Sequence, residues 1–274
     1  GPQNSPEINT TLGQYTLLER LSGEGSAPVF RALNEEIGRE EALKFIGCDI
    51  DDETRERFRH ELNLLGRLEI PGVITVYRCG TDADSSGRLW TYFSMPLVRG
   101  LNLDEFIRTH CCSLNEKMRL LAETAQILQA LHKENILHRD IKPANVMVTE
   151  SGEVRLLDLG IARLMEDKDT LGEYRGTPAF SSPEQLAAQE LSSASDTYSF
   201  ALMSFLILTS RHPYLSDLHA DFLEVKEKSI KPIALSLEDY LPELSPEFCS
   251  LIKQTLQVNV TQRPGIEELS KVLT

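Results

Sequence analysis

The run HRDIKPANVMV, residues 138–148, constrains this chain more than any other stretch. Ahead of it, residues 114–132 carry Leu120, Leu121, Ala125, Leu128 and Leu131 at helical spacing. Behind it, residues 146–148 and 154–157 read as two short strands, and Asp158 follows them directly. A polar loop therefore lies between a helix and a strand pair, and Asp140, Asn145 and Asp158 arrive within a short span. Asn145 and Asp158 offer oxygen ligands of the kind that suits Mg²⁺. Asp140 is a carboxylate able to accept a hydroxyl proton, and Lys142 is a cation able to neutralise a transferring phosphoryl group. Together these residue types make most of a phosphoryl-transfer site.

The texture of the chain changes near residues 96–100. Before that point residues 15–21, 29–32, 41–46, 73–79 and 89–95 read as strands, the last two split by the polar turn DADSSG. One helix, residues 53–68, puts Phe58, Glu61, Leu62, Leu65 and Leu68 on a single face, and Pro71-Gly72 is expected to stop it. Beyond residue 100 the chain reads as mainly helical. Residues 196–209 are apolar nearly all round, which predicts a buried central helix. Prolines 213, 232, 242, 246 and 264 punctuate the remainder. With 274 residues, 41% of them apolar, the chain can build one large core or two modest lobes. Residues 1–13 read as a flexible lead-in, and Gly1-Pro2 resembles a remnant of protease cleavage.

The pattern H-R-D-x-K-P-x-x-N, followed by Asp158-Leu159-Gly160, resembles that of the eukaryotic-like (Hanks-type) serine/threonine protein kinases. Leu159 stands where the family carries phenylalanine and still supplies an apolar side chain; Lys142 is the serine/threonine-class feature. The resemblance runs from Tyr15 to the end and suits bacterial members as well as eukaryotic ones. It implies an α+β, bilobal protein-kinase fold. A small antiparallel-sheet N-lobe with one helix would span about residues 14–96, and a larger, mainly helical C-lobe about residues 97–274. It also implies transfer of the ATP γ-phosphoryl group, with Mg²⁺, to a serine or threonine of a protein substrate.

Residue by residue, the resemblance makes Asp140 the base and sets Lys142 on the γ-phosphoryl group. Asn145 and Asp158 become the metal ligands, and Thr177 touches Asp140 and Lys142. Lys44 in ALKF becomes the lysine on the α- and β-phosphates, with Glu61 as its partner. A carboxylate on the apolar face of its helix would be costly to bury alone, and a cation removes most of that cost. Met95 takes the gatekeeper position, the Pro96 carbonyl and the Val98 N–H face the adenine edge, and Ala42 and Met147 sandwich the ring. His138 orders the loop, Arg139 offers a cation to a phosphate, and Asp196 holds the loop's backbone. Glu184 meets Arg263 as a buried ion pair between distant stretches.

The glycine-rich loop is where the chain departs from the family. In LSGEGSAPV, Leu21 and Val29 stand eight apart and fit the two anchors. The three glycine positions then fall on Ser22, Glu24 and Ala27, while Gly23 and Gly25 lie between them and Ser26 and Pro28 complete the loop. Glycine there lets backbone approach phosphate oxygens. Glu24 adds repulsion and Pro28 removes an N–H, so a modest grip on nucleotide is expected.

There are 28 basic and 42 acidic residues, a formal net charge of -14, which argues against nucleic acid and anionic membranes as partners. The longest strongly apolar run, residues 200–208, is too short to span a bilayer, though a longer protein could carry an anchor elsewhere. Five cysteines, Cys48, Cys79, Cys111, Cys112 and Cys249, fit no zinc spacing and read as free thiols, small core hydrophobes of a cytoplasmic protein. Thr170, Tyr174 and Thr177 lie between Asp158 and Glu184, and Thr170 is the expected site of autophosphorylation, making the chain a phosphoprotein. The alternative is a pseudokinase scaffold that binds nucleotide or partners without transfer. Small-molecule phosphotransfer is disfavoured by Lys142 and the segment 176–184.

Overall fold

The computed structural model of the chain describes residues 5–21, 27–157 and 178–274. The chain divides into two compact units, Gly1–Glu69 with Ile74–Arg99, and Ile70–Val73 with Gly100–Thr274.

In the first unit, strands β1 (Thr11–Leu12), β2 (Tyr15–Arg20), β3 (Val29–Asn34), β4 (Arg39–Cys48), β5 (Arg78–Ala83) and β6 (Leu89–Pro96) form one antiparallel sheet of order β1-β2-β3-β4-β6-β5. Leu12, Tyr15, Leu17, Phe30, Leu43, Phe45, Trp90 and Tyr92 make an apolar cluster on it. Its rings meet edge to face, as Phe30 does with Phe45 and Phe45 with Trp90. Helix α1 (Asp52–Leu65) starts because Asp51 accepts the Thr54 N–H at 2.8 Å and Asp52 and Glu53 favour its positive end. Phe58 is fully buried and meets Phe93 of β6, ring centroids 5.9 Å apart.

Four expectations need correction here. Thr11 and Leu12 are a strand, with Leu12 buried, and not part of a loose lead-in. Helix α1 ends at Gly66, whose N–H reaches the Leu62 carbonyl, before Pro71-Gly72 can stop it. The strand expected at residues 73–79 lies at Arg78–Ala83 and runs into the supposed turn, because the pairing with β6 fixes it there. Val73 instead bridges Leu156, and the Leu156 N–H donates to the Gly72 carbonyl. Of the five cysteines, all free, only Cys249 is buried and Cys111 is exposed.

In the second unit, β7 (Gly100–Asn102), β8 (Val146–Thr149) and β9 (Val154–Leu156) form a small antiparallel sheet. Added to it are α2 (Leu103–Thr109), α3 (Leu114–Lys133), α4 (Pro183–Leu186), α5 (Ser193–Thr209), α6 (Phe222–Ser229), α7 (Pro246–Thr255) and α8 (Ile266–Leu273). A capping box of Ser113 and Glu116 begins α3. Helix α5 is buried along nearly its whole length, as its sequence predicts. Its buried Thr197, Ser199 and Ser204 are satisfied by donating to the carbonyls of Ser193, Ser195 and Phe200, one turn back. Among the described residues no helix is long and apolar enough to cross a membrane.

Candidate active site

The loop between α3 and β8 is held by groups far from it in sequence. Asp196, in the first turns of α5 and 2% exposed, accepts from the His138 N–H and the Arg139 N–H, both at 2.8 Å. Its third donor is His132 Nε2 at 2.9 Å, from the last turn of α3. Two successive N–H groups converge on one carboxylate because Arg139 is left-handed, with φ 71°. Arginine has no intrinsic preference for that region, so the position stores strain of order 1–3 kcal/mol that the three donors hold in place. The helix N-cap is Ser192, so Asp196 serves the loop and not the cap.

His138 is fully buried and joins two ends of the loop. Its Nδ1 accepts the Asp140 N–H at 3.1 Å, so Nε2 carries the proton and donates to the Leu157 carbonyl at 2.6 Å. The structure thereby brings Asp140, Lys142 and Asn145 together. Asn145 Nδ2 donates to the Asp140 carbonyl at 2.7 Å and to Asp140 Oδ2 at 2.9 Å. Lys142 Nζ lies 3.6 Å from the same Oδ2. Both acceptors around Asn145 face its nitrogen, which fixes the amide's orientation. No donor among the described residues reaches Asn145 Oδ1 or Asp140 Oδ1. An amide oxygen left open in this way fits a hard cation.

In the other unit, Val29, Ala42, Lys44, Phe93 and Met95 share one sheet face. Lys44 stands opposite Val29 and Phe93, and Ala42 opposite Met95. Helix α1, which carries Glu61, packs on that face through Phe58. Met95 and Ala42 are buried, Pro96 ends β6, and Val98 follows it outside any regular element. The Leu21 N–H donates to the Val29 carbonyl at 2.7 Å and the Phe45 N–H to the Pro28 carbonyl, so the two ends of the loop are paired. Leu21 is exposed, and Ala27 and Pro28 are partly buried. Met147 lies on β8, paired with Asn102 and Arg155. Ser22, Gly23, Glu24, Gly25, Ser26, Asp158 and Thr177 lie outside the described residues, as do Thr170 and Tyr174.

The expected ion pair is present in full. All five N–H groups of Arg263 find acceptors. Nη1 and Nη2 grip Glu184 at 2.7 and 2.9 Å, and the remaining donors reach the carbonyls of Gln257, Ala194 and Val258. Ser195 Oγ adds a third bond to Glu184 at 2.7 Å. Burial pushes the Glu184 carboxyl upward, but the bonds from Arg263 and Ser195 outweigh it and hold it below its usual range. Nearby, His212 donates from Nε2 to the Ala179 carbonyl at 2.6 Å while Nδ1 accepts from Tyr214 and Leu215, and burial lowers it to about 4, so it stays neutral.

Two contributing side chains are absent from the sequence expectations. His132 sits 64 residues from Asp196, and Gln185, whose Nε2 donates to the Arg139 carbonyl at 2.8 Å, sits 46 residues from Arg139. The S-x-x-Q spacing of Ser182 and Gln185 is readable as a capping box, yet nothing local points to Arg139.

Residues 15–272 match the protein kinase domain family. The chain belongs to that family. This kinase domain is 31% identical over 265 residues to the serine/threonine-protein kinase PknA of Mycobacterium tuberculosis, covering 94% of the chain and 60% of PknA. It is 35% identical over 255 residues to the probable serine/threonine-protein kinase SCO3848 of Streptomyces coelicolor, covering 89% of the chain and 37% of the relative. The chain thus spans from about a third to three fifths of the length of these curated relatives. Its fold is similar to the crystal structure of the Mycobacterium tuberculosis PknI kinase domain, with TM-score 0.71, 22% identity and 98% of each chain covered.

Proposed function

We propose that this chain is an ATP- and Mg²⁺-dependent serine/threonine protein kinase domain. The observation that carries the reading is the state of Asp140: a carboxylate with Oδ2 engaged and Oδ1 met by no donor among the described residues, on a loop that Asp196 clamps. Oδ2 is engaged by Asn145 and lies near Lys142, which leaves Oδ1 to orient the acceptor hydroxyl and take its proton. The hydroxyl oxygen bonds to the γ-phosphorus as the bond to ADP breaks, and Lys142 offsets charge on the transferring group. Asn145 through Oδ1, with Asp158, would hold magnesium, which when bound neutralises phosphate charge. Lys44, positioned by Glu61, holds the α- and β-phosphates. From the first unit, Val29, Ala42, Met95 and Val98 offer apolar side chains and backbone groups to adenine. Because the transition state is loose, positioning and electrostatics supply most of the acceleration.

The test is phosphate transfer from radiolabelled ATP to a general protein acceptor such as casein. Wild type should label the acceptor, and Asp140→Asn should fall by about 10²–10⁴-fold with an unchanged melting temperature. Equal labelling by the two proteins, or none by wild type in the presence of Mg²⁺, would remove the reading.

A further inference from the structure

Gln185 does two separable jobs with its two amide atoms. Its oxygen works locally: it accepts from the Ser182 N–H at 3.0 Å and the Ser182 hydroxyl at 3.3 Å, half of the capping box that starts α4. A glutamate would serve equally there. Its nitrogen leaves the helix and donates to the Arg139 carbonyl at 2.8 Å, which an ionised glutamate cannot do.

That carbonyl belongs to the peptide joining Arg139 to Asp140. The other end of the same plane, the Asp140 N–H, donates to His138 Nδ1. On the preceding peptide, Asp196 holds the Arg139 N–H. Asp196 and His138 therefore fix the strained turn from one side, and Gln185 fixes it from the other. The orientation of this peptide plane sets the direction in which the Asp140 side chain leaves the backbone.

We propose that Gln185 is a positioning residue for the transfer site: by holding the Arg139 carbonyl it fixes the Arg139–Asp140 peptide and with it the aim of the Asp140 carboxylate. It acts through the backbone and touches neither nucleotide nor acceptor. The inference rests on the kinase reading for its catalytic half. Its structural half ties the chain that follows residue 177 to the loop carrying Asp140, so rearrangement of residues 178–186 reaches Asp140 through the Gln185 hydrogen bond.

Two variants separate the two jobs. Gln185→Glu keeps the capping oxygen and replaces the donor with a charge facing a carbonyl. Ser182→Ala removes the capping hydroxyl and keeps the donor. Amide exchange is measured first, on the full chain without nucleotide, followed by kinetics with ATP and casein well below the melting temperature. Gln185→Glu should speed exchange at the Asp140 amide and lower kcat, each by about tenfold, the worth of one hydrogen bond, with KM for ATP within about twofold. Ser182→Ala should melt earlier with Asp140 exchange and kcat unchanged. Wild-type exchange in Gln185→Glu, or Ser182→Ala reproducing both effects, overturns the proposal. If wild type transfers no phosphate, the kinase reading fails, and the exchange result alone decides whether the tie holds.

Discussion

Replacing Glu184 by glutamine changes one charge at nearly constant shape. In the native protein this carboxylate, 4% exposed, faces an Arg263 side chain that is fully buried and has no solvent to fall back on. The variant leaves the guanidinium with its three carbonyl acceptors, but a neutral amide can offer only one acceptor oxygen where the carboxylate offered two. Breaking a buried pair from one side costs about 3–5 kcal/mol. At roughly 2–4 °C per kcal/mol for a chain of this size, the melting temperature should fall by about 6–20 °C in calorimetry. Arg263→Met should cost a similar amount. The double variant Glu184→Gln, Arg263→Met should be less damaging than the sum of those two singles by on the order of 2 kcal/mol, since neither charge is then stranded. The pH dependence has a definite sign. The folded-state pKa of Glu184 is depressed, so its contribution is fully present above the unfolded value and lost as pH falls through the folded one. The gap between wild type and Glu184→Gln should therefore narrow on acidification below the ordinary carboxylate range. A loss under about 1 kcal/mol, or strict additivity in the double variant, would refute the claim that the pair acts as a buried unit.

Other expectations follow from single positions. A Cβ on Gly80 would stand 2.5 Å from Cζ of the fully buried Tyr92, whose hydroxyl is pinned by Asp82 and Arg78. Gly80→Ala should then cost about 1–3 kcal/mol in chemical denaturation, and an unchanged midpoint would show that the sheet yields freely. Glu24→Gly removes a negative charge from the phosphate loop and should tighten nucleotide binding several-fold, about 1 kcal/mol, in titration calorimetry; weaker binding would count against the anchored reading of that loop. Incubation with ATP should place phosphate in the peptide containing Thr170, and mass spectrometry finding none between Asp158 and Glu184 would sink autophosphorylation there.

What the sequence disclosed followed from how local each signal was. The 138–145 pattern, helix α3 and the buried helix α5 were legible because period and composition carry them. Glu184 with Arg263 became legible only through the family resemblance, since 79 residues separate them. Strand β5 is not legible at its own place because Arg78–Ala83 has little strand character; its neighbour β6 imposes it. Helix α2 has a readable start, since Asn102 accepts the Glu105 N–H and Asp104 and Glu105 fill its first turn, but its seven residues are too few to show a period. The end of α1 at Gly66 is masked in the sequence by the stronger breaker, Pro71-Gly72, a few residues on. No local signal could have found the reach of His132 to Asp196 or of Gln185 to Arg139, for each depends on where two distant helices come to rest.

Strand β1 has a practical corollary for anyone shortening this chain. The family match begins at Tyr15, yet Leu12 is already sealed beneath the sheet and pairs with Tyr15 across the turn. A fragment trimmed to the matched residues would uncover that apolar floor and leave β2 with a bare row of hydrogen-bonding groups. Such a border invites a neighbouring molecule to add its own strand, so self-association in a trimmed preparation would reflect the cut and not the native protein.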